Sequence, residues 1–500
     1  MPGSAVALKE EGVSVATRRP PRSVAVVALA AGRGKRMRSA TPKVLHPVCG
    51  RPSLWHVLRA ATRGARPSSV IVVVGEGRRQ VEEAVRSWRV RPEPTFVDQG
   101  RPLGTGHAVA ATEEATQGAD DVLVLSGDDP LIDGEHVRRL LTVHRRTKAA
   151  AAILTTVVED PRGYGRVIRV GDELIEIVEE AEATPAIREI REISTLVYAF
   201  RREELMRALP LVGRENVQHE YYLPDVLPIL KDKGEMVAAV AVDLGGSLGF
   251  NTRGSMATVS SVMRARILEG HMLRGVAVVD PHTTYVDVDV RIGRDTILYP
   301  LTFLEGPTRV GAGCRLGPSA RIVDSTVGEG AEVTFSIAVG SRIGPRASVG
   351  PFASLRPGTV LREGAKAGTF VELKAARIGR NSKVPHLSYV GDAVVGEGAN
   401  IGAGTITVNY DGYDKHRTTI GDGAFIGSDT MLVAPVRVGK QANTAAGSVI
   451  TRDVPAGALA VERGEQRIVR GYRERKRAAR GKQQRGEAVQ PEKGGGADRG

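Results

Sequence analysis

The sequence predicts an α/β protein: an N-terminal doubly wound, Rossmann-like domain, a linking helix, and a C-terminal left-handed parallel β-helix of hexapeptide repeats. Three observations carry this prediction. Short β-rich apolar runs alternate with amphipathic stretches from residue 23 onward, and an aliphatic residue recurs every six positions after residue 309. Glycine supplies 59 of 500 residues while aromatics make up only 4%, the balance of a fold with many tight corners and few large side chains.

Taken in order, SVAVVALA, LWHVLRAATRGA, SVIVVVGE, RRQVEEAVRSW, PTFVDQG, GHAVAATEEA and DVLVLSGDDP follow one another between residues 23 and 130. This is βαβα order, which implies a mainly parallel sheet whose ligands sit beyond the carboxyl ends of its strands. The domain takes residues 23–251. In residues 252–275, Met256, Val259, Val262, Met263, Ile267 and Leu268 share one helical face, the linking helix.

From 276 to 463 helical periodicity gives way to the six-residue beat: Val310, Leu316 and Ile322; Val327, Val333 and Val339; Ile343 and Val349; Val395 and Ile401; Ile420, Ile426, Leu432 and Val438. One aliphatic side chain per flat face and a permissive residue per corner close a triangular coil, and stacked coils form a β-helix. The beat slips near Tyr389–Val395 and again between Gly404 and Ile420, where NYDGYDKHR protrudes. Residues 1–22 and 464–500 have no period and are expected to be a disordered leader and a disordered basic tail.

The formal charge is +13, but residues 1–22 and 464–500 supply +8 of it. A nucleic-acid function is therefore not expected, and the scarcity of aromatics removes the stacking platforms it would need. No run reaches the ~18 apolar residues of a membrane span, and no signal-peptide pattern opens the chain, so a cytoplasmic setting is expected. Cys49 and Cys314 have no CxxC partner and are read as free thiols.

The first strand runs into LAAGRGKRMRSATPK, where Gly32 and Gly34 let backbone N–H groups approach phosphate while Arg33, Lys35, Arg36 and Lys43 neutralise it. Asp128 ends a later strand, a position suited to Mg²⁺, which takes one or two protein oxygens and keeps phosphates and waters. Leu29, Gly32, Gly34, Arg36, Met37, Pro42 and Lys43 match the signature of the sugar-1-phosphate nucleotidyltransferases, which this half resembles. GYGR at 163–166, IVEE at 177–180, EYYLPD at 220–225 and GFNTR at 249–253 narrow the resemblance. It is to the bacterial bifunctional N-acetylglucosamine-1-phosphate uridyltransferase/glucosamine-1-phosphate acetyltransferases, over about residues 23–463.

The resemblance implies a UTP and UDP-N-acetylglucosamine site. Its nucleotide part is Leu29, Ala30, Ala31, Gly32, Arg36 and Lys43, with Gln99, Gly104 and Thr105 at the uracil ring and Ser126, Gly127 and Asp128 beyond. Gly165, Glu179 and Ser194 fall at the sugar, and Asp128 and Asn251 at Mg²⁺. Ser194 and Leu196 replace the usual Asn and Gly of the sugar pocket, Pro224 replaces a Thr, and Lys35 replaces a small hydroxyl residue. An alternative reading therefore keeps the acetyltransferase and has the uridyltransferase half weakened or altered in sugar choice.

Acetyl transfer to an amine needs a base and donors for the developing oxyanion. His386, beside a break in the beat, is the candidate base. The resemblance makes His386 catalytic and gives Arg356, Lys374, Tyr389, Asn400, Asn409 and Lys415 to glucosamine-1-phosphate. It gives Ala403, Tyr410, Ser428, Ala446 and Arg463 to acetyl-CoA. It also implies a homotrimer with active sites between subunits. A β-helix acting only as a trimerising scaffold would have no use for His386, Lys374 and Asn409.

Overall fold

In a computed structural model of the chain, residues 22–487 are described, apart from 33, 163, 179, 181–182, 217–218 and 246–248. Internal packing divides the chain at Gly358/Thr359 into two units.

The first unit opens with a nine-stranded sheet in the order Thr95–Asp98, Ser69–Val74, Val24–Leu29, Asp121–Ser126, Glu192–Arg201, Ala151–Val157, Val237–Ala241, Glu173–Val178, Arg166–Val170. The first four strands are parallel, whereas Glu192–Arg201 runs antiparallel to both its neighbours. Val24–Leu29 and Asp121–Ser126 are almost wholly buried because both faces of the sheet are covered, which is why their sequences are continuous rather than alternating apolar runs. Val24, Val26 and Ala28 face a core completed by the helices Ser53–Ala65, Arg78–Ser87 and Gly134–Arg146. Ala25 and Val27 face the opposite core, with the helices Thr105–Ala110, Arg202–Ala208 and Val226–Asp232. Strand order turns outward in both directions from Val24–Leu29, so the crevice of the sheet lies at Leu29 and Ser126.

The linking helix spans Arg253–Met272, started by a Thr252/Ser255 capping box. Its Val259 joins Met37, Val48, Leu131 and Phe250 in a small separate core, which ties the glycine-rich loop, the segment after Asp128 and the helix together. Each such buried aliphatic side chain is worth ~1.5–3 kcal/mol relative to exposure. Arg22, expected to belong to the leader, is bound to the sheet instead: its guanidinium stands 2.6 Å from the buried Asp121 carboxylate.

After the helix the first unit continues as stacked coils from Ala277–Val278 to Ser354–Leu355. Three parallel ladders form its faces, with registers such as Ile297↔Arg315, Phe303↔Arg321 and Arg309↔Thr326. Leu298, Leu304, Val310, Leu316, Ile322, Val327 and Val333 point inward. The beat shortens to five at three corners, from Ile322 to Val327, from Val333 to Ala338 and from Ala338 to Ile343; Val339, expected inside, is half exposed. A corner that loses one residue moves the inward position back by one.

The second unit continues the same construction from Val360–Leu361 to Leu459–Ala460, with Leu373, Ile378, Val384, Val390, Val395, Ile401, Ile420, Ile426 and Leu432 inside. Between Val408 and Thr418 the chain leaves the wall as a hairpin closed by a Tyr410–Lys415 bridge. The tail departs from expectation: Tyr472–Glu487 is a helix. Arg, Lys, Gln and Ala are good helix formers even without an apolar face, a preference that periodicity does not detect. Residues 488–500 and 1–21 lie outside the described residues. Among the described residues no helix is long and apolar enough to cross a membrane.

Candidate active sites

The first site is built on the crevice. Leu29 ends the first strand, Ala30 and Ala31 are buried after it, and Gly32 is exposed. Gly34 has φ +56°, and a Cβ there would lie 2.8 Å from Lys43 Cβ, so the loop needs glycine to close on Lys43. Arg36 and Lys35 stand exposed on the following turn, Lys35–Met37, whose buried member is Met37.

Opposite, the Ser126 hydroxyl donates to one oxygen of Asp128 and the Lys43 ammonium donates to the other. The same ammonium donates to Asn251 Oδ1 at 2.6 Å. Gly127 N–H donates to Leu29 O at 2.9 Å, and a side chain at Gly127 would strike that carbonyl at 2.8 Å. Asp128 and Asn251 oxygens thus converge on one cation, the position an ion would take. Among the described residues no group of three or more His, Cys, Asp or Glu is poised for a metal. One carboxylate and one amide oxygen beside a phosphate-binding loop nevertheless fit Mg²⁺, which needs few protein ligands. Sequence reasoning missed Asp129: it is buried, and its carboxyl is pushed up to about 7, first by burial and second by the Asp128 charge.

Gln99 is buried beside a 60 Å³ cavity lined by Ala31, Gly75, Glu76, Gln99, Gly100 and Pro102. Its Nε2 donates to Gly104 O at 2.9 Å, which leaves Oε1 as the acceptor for a ligand. Gly104 has φ +116°, and a Cβ would lie 2.4 Å from Tyr221 O. Thr105 Oγ1 accepts from Leu223 N–H at 3.0 Å, so the EYYLPD segment buttresses the position expected for the base. Pro224 is the second residue of the short turn Leu223–Asp225, in whose first turn proline's fixed φ is compatible.

On the sugar side, Ser194 N–H donates to Gly165 O at 3.1 Å, joining two expected sugar-binding positions. Glu179 lies outside the described residues. The strand bulges between Ser194 and Tyr198, and Leu196, on the bulge, is 40% exposed.

The second site lies on the β-helix of the second unit. His386 ends the strand Lys383–His386, exposed, just before the left-handed corner residue Leu387 (φ +46°). Lys374 Nζ stands 3.1 Å from Asp392 Oδ2, and the buried Asn409 amide donates to the same oxygen. A Cβ at Gly391 would lie 2.3 Å from Tyr389 Oη and 2.9 Å from Asn409 Nδ2, so Tyr389 and Asn409 meet over a glycine that must stay bare. The hydrogen bond that Lys374 donates to Asp392, and after it one shared with Lys415, raise the Lys374 pKa. Burial works to raise that of Asp392, but the Asn409 and Lys374 hydrogen bonds outweigh it and lower it. The ion pair is self-reinforcing.

The structure therefore brings Lys374, Tyr389, Asn409 and Lys415 together around Asp392, a residue the sequence reading did not single out. Its signal was weak: a Gly-Asp after a strand is an ordinary turn. Asn400 lies half-buried on a neighbouring strand, paired with Lys383. Arg356, exposed after the strand Ser354–Leu355, belongs to the first unit.

The positions expected for acetyl-CoA form a row. A Cβ at Gly402 would meet Ser428 N at 2.4 Å, and one at Gly427 would meet Ala446 N at 2.6 Å. Asp429 N–H donates to Ala403 O, Gly447 N–H donates to Ser428 O, and a Cβ at Gly447 would lie 3.9 Å from Arg463 Cδ. Ala403, Ser428, Ala446 and Arg463 thus follow one another up a single edge of the coil. Tyr410 is exposed on the hairpin, its hydroxyl donating to Gly412 O at 2.6 Å.

Residues 26–205 match the MobA-like NTP transferase domain. The whole chain is similar to the bifunctional protein GlmU of Streptomyces coelicolor, 48% identical over 479 residues, covering 95% of this chain and 99% of that protein. It is also 47% identical over 461 residues to GlmU of Streptomyces avermitilis, covering 91% of this chain and 95% of that one. GlmU of Mycobacterium tuberculosis is 46% identical over 463 residues, with 91% and 93% covered. The chain belongs to the bifunctional GlmU family. GlmU membership makes it an enzyme with two transferase activities, and its nucleotidyltransferase half handles nucleotide and sugar-phosphate substrates.

Proposed function

We propose that the chain makes UDP-N-acetylglucosamine in two steps, and that the convergence of Asp128, Asn251 and Lys43 at the mouth of a nucleotidyltransferase crevice carries the reading of its first half. In the acetyltransferase step, the phosphate of glucosamine-1-phosphate engages Arg356, Lys374 and Lys415, while Tyr389, Asn400 and Asn409 orient the sugar. His386 takes a proton from the ammonium. The freed amine attacks the thioester carbonyl of acetyl-CoA, the C–S bond breaks, and coenzyme A leaves as its thiol. Ala403, Tyr410, Ser428, Ala446 and Arg463 hold the cofactor along the coil edge.

In the uridylyl step, a phosphate oxygen of N-acetylglucosamine-1-phosphate attacks the α-phosphorus of UTP and pyrophosphate departs. The glycine-rich loop with Arg36 and Lys43 neutralises the triphosphate, Gln99 Oε1 accepts from the base, and Thr105 sits beside it. Mg²⁺, held by Asp128 and Asn251, supplies charge neutralisation at the phosphates. Gly165, Glu179 and Ser194 bind the sugar. A weakened uridyltransferase half is not favoured: Pro224 suits its turn, and Leu196 sits on an exposed bulge. Substrates of this kind suit a cytoplasmic enzyme, and a homotrimer is the assembly that the family resemblance implies.

The test is to incubate the pure protein with glucosamine-1-phosphate, acetyl-CoA, UTP and Mg²⁺ and to record thiol and pyrophosphate together. Both signals are expected; thiol without pyrophosphate would refute the first half.

A further inference from the structure

Outside both sites, a 250 Å³ cavity opens in the first unit between the Ser53–Ala65 helix, the segment Pro130–Gly134 and the linking helix. Three arginines line it, Arg59, Arg63 and Arg266, against an aliphatic wall that includes Leu131, Met263 and Ile267. None of the three has a carboxylate within ion-pair distance among the described residues. Arg266 donates to the carbonyls of Leu131 (2.7 Å) and Asp243 (3.4 Å), and Arg59 lies 4.9 Å over the Trp55 ring. The nearby acids are already committed. Asp289 is paired with Arg51, and Asp133 caps the Gly134–Arg146 helix. A larger, 600 Å³ cavity on the same unit makes the contrast: there Arg138, Arg146 and Arg169 are matched by Glu135, Asp172 and Glu192.

Three guanidinium groups face the cavity against one lining carboxylate, Asp133, so they repel one another in excess of their counter-charge; Arg59 bears this, its pKa lowered first by burial and then by Arg63, with the Asp289 charge opposing. An anion relieves that repulsion, and arginine's planar fork suits phosphate oxygens. The volume is just below the ~300 Å³ at which drug-sized pockets begin, which suits a sugar-sized body and excludes a nucleotide sugar. We propose that this cavity binds a phosphate monoester with a small organic body, its phosphate among the arginines and its body on the Leu131, Met263 and Ile267 wall.

The location gives such a ligand leverage. Pro130–Gly134 begins two residues after Asp128, and the linking helix begins two residues after Asn251, so both walls lead into the uridyltransferase crevice. A ligand that bridges them biases the placement of that crevice and, by reciprocity, its affinity for UTP.

The test is calorimetric titration of glucose 6-phosphate into the full chain, with UDP-N-acetylglucosamine and coenzyme A present to fill the catalytic sites. One site per chain is expected, with inorganic phosphate binding more weakly because it leaves the apolar wall bare. Arg59→Gln/Arg63→Gln should weaken glucose 6-phosphate at least tenfold. If that variant melts early, Arg63→Gln alone, an exposed position, should weaken binding at least threefold. A second titration, of UTP in the absence of the two occupants, should shift in affinity when glucose 6-phosphate is added to wild type and not shift in the variant. No binding by wild type, unchanged binding by the variants, equal binding of inorganic phosphate, or an unshifted UTP affinity would each overturn the proposal.

Discussion

At Asp392 a single carboxylate oxygen accepts from both Lys374 and Asn409, two residues assigned to the phosphorylated sugar. Removing it frees the lysine and leaves a buried amide without its acceptor. A hydrogen bond to a charged group is worth ~1.5–3 kcal/mol, so Asp392→Ala should raise KM for glucosamine-1-phosphate by roughly tenfold or more. KM for acetyl-CoA should move much less, and a thiol-release assay with each substrate varied in turn distinguishes the two. In the first unit, Gly104→Ala forces a Cβ to within 2.4 Å of Tyr221 O at φ +116°. A loss of ~1–3 kcal/mol in stability, with weaker UTP binding, is expected from thermal melts and UTP titration.

At the scale of elements, the Tyr410–Lys415 hairpin carries Tyr410 and Lys415 and follows Asn409, so under the proposed function it bears on sugar and cofactor together. Asp411 pins it by accepting from the Tyr413 N–H (2.8 Å), the Asp414 N–H (2.7 Å) and His416 Nε2 (2.7 Å). Asp411→Ala should therefore raise KM for both acetyltransferase substrates by several-fold while pyrophosphate release from UTP and N-acetylglucosamine-1-phosphate stays unchanged. The Tyr472–Glu487 helix makes a different case, since it rests on propensity alone. Its Gly481 weakens it by ~1 kcal/mol relative to alanine, and Gly481→Ala should add helical circular dichroism without altering either activity.

For the whole molecule, stability should depend on pH through two buried histidines. Burial pushes both His56 and His271 down from 6.5 to about 4. Their folded-state pKa lies below the unfolded value, so each is neutral in the fold and takes up a proton on unfolding in acid. The histidine contribution is complete above pH 6.5 and is lost as pH drops toward 4, by up to roughly 3 kcal/mol per histidine, whereas Asp129, with its carboxyl raised to about 7, acts in the opposite sense and costs stability as pH rises toward 7. Melts at pH 7.5 and 4.5 of wild type and of His56→Gln/His271→Gln isolate the histidine contribution: on going to pH 4.5 the wild type should lose stability relative to the variant. The two activities should also separate: His386→Ala should abolish thiol release and spare pyrophosphate release, and Asp128→Ala should do the reverse.

The fold class was legible in the sequence because it rests on periods. Alternation of strand and helix runs fixes a doubly wound sheet, and an aliphatic every six residues fixes a coil, whatever the long-range contacts. The Gly-rich loop, Asp128 and His386 could be singled out as candidates because residue type and motif spacing are local properties, whereas Lys374 and Asn409 were given roles by the family resemblance. The antiparallel Glu192–Arg201 strand, the five-residue corners that bring Ala338 inward, and the helical tail were not. Each depends on pairing, corner length or propensity that the beat does not encode. Only the tertiary structure brought Lys43 onto Asp128 and Asn251, more than 200 residues from the latter, and set Asp392 between Lys374 and Asn409. Sequence spacing determines which face of a coil or strand a residue occupies, but convergence of charges from distant segments is decided by how those segments pack.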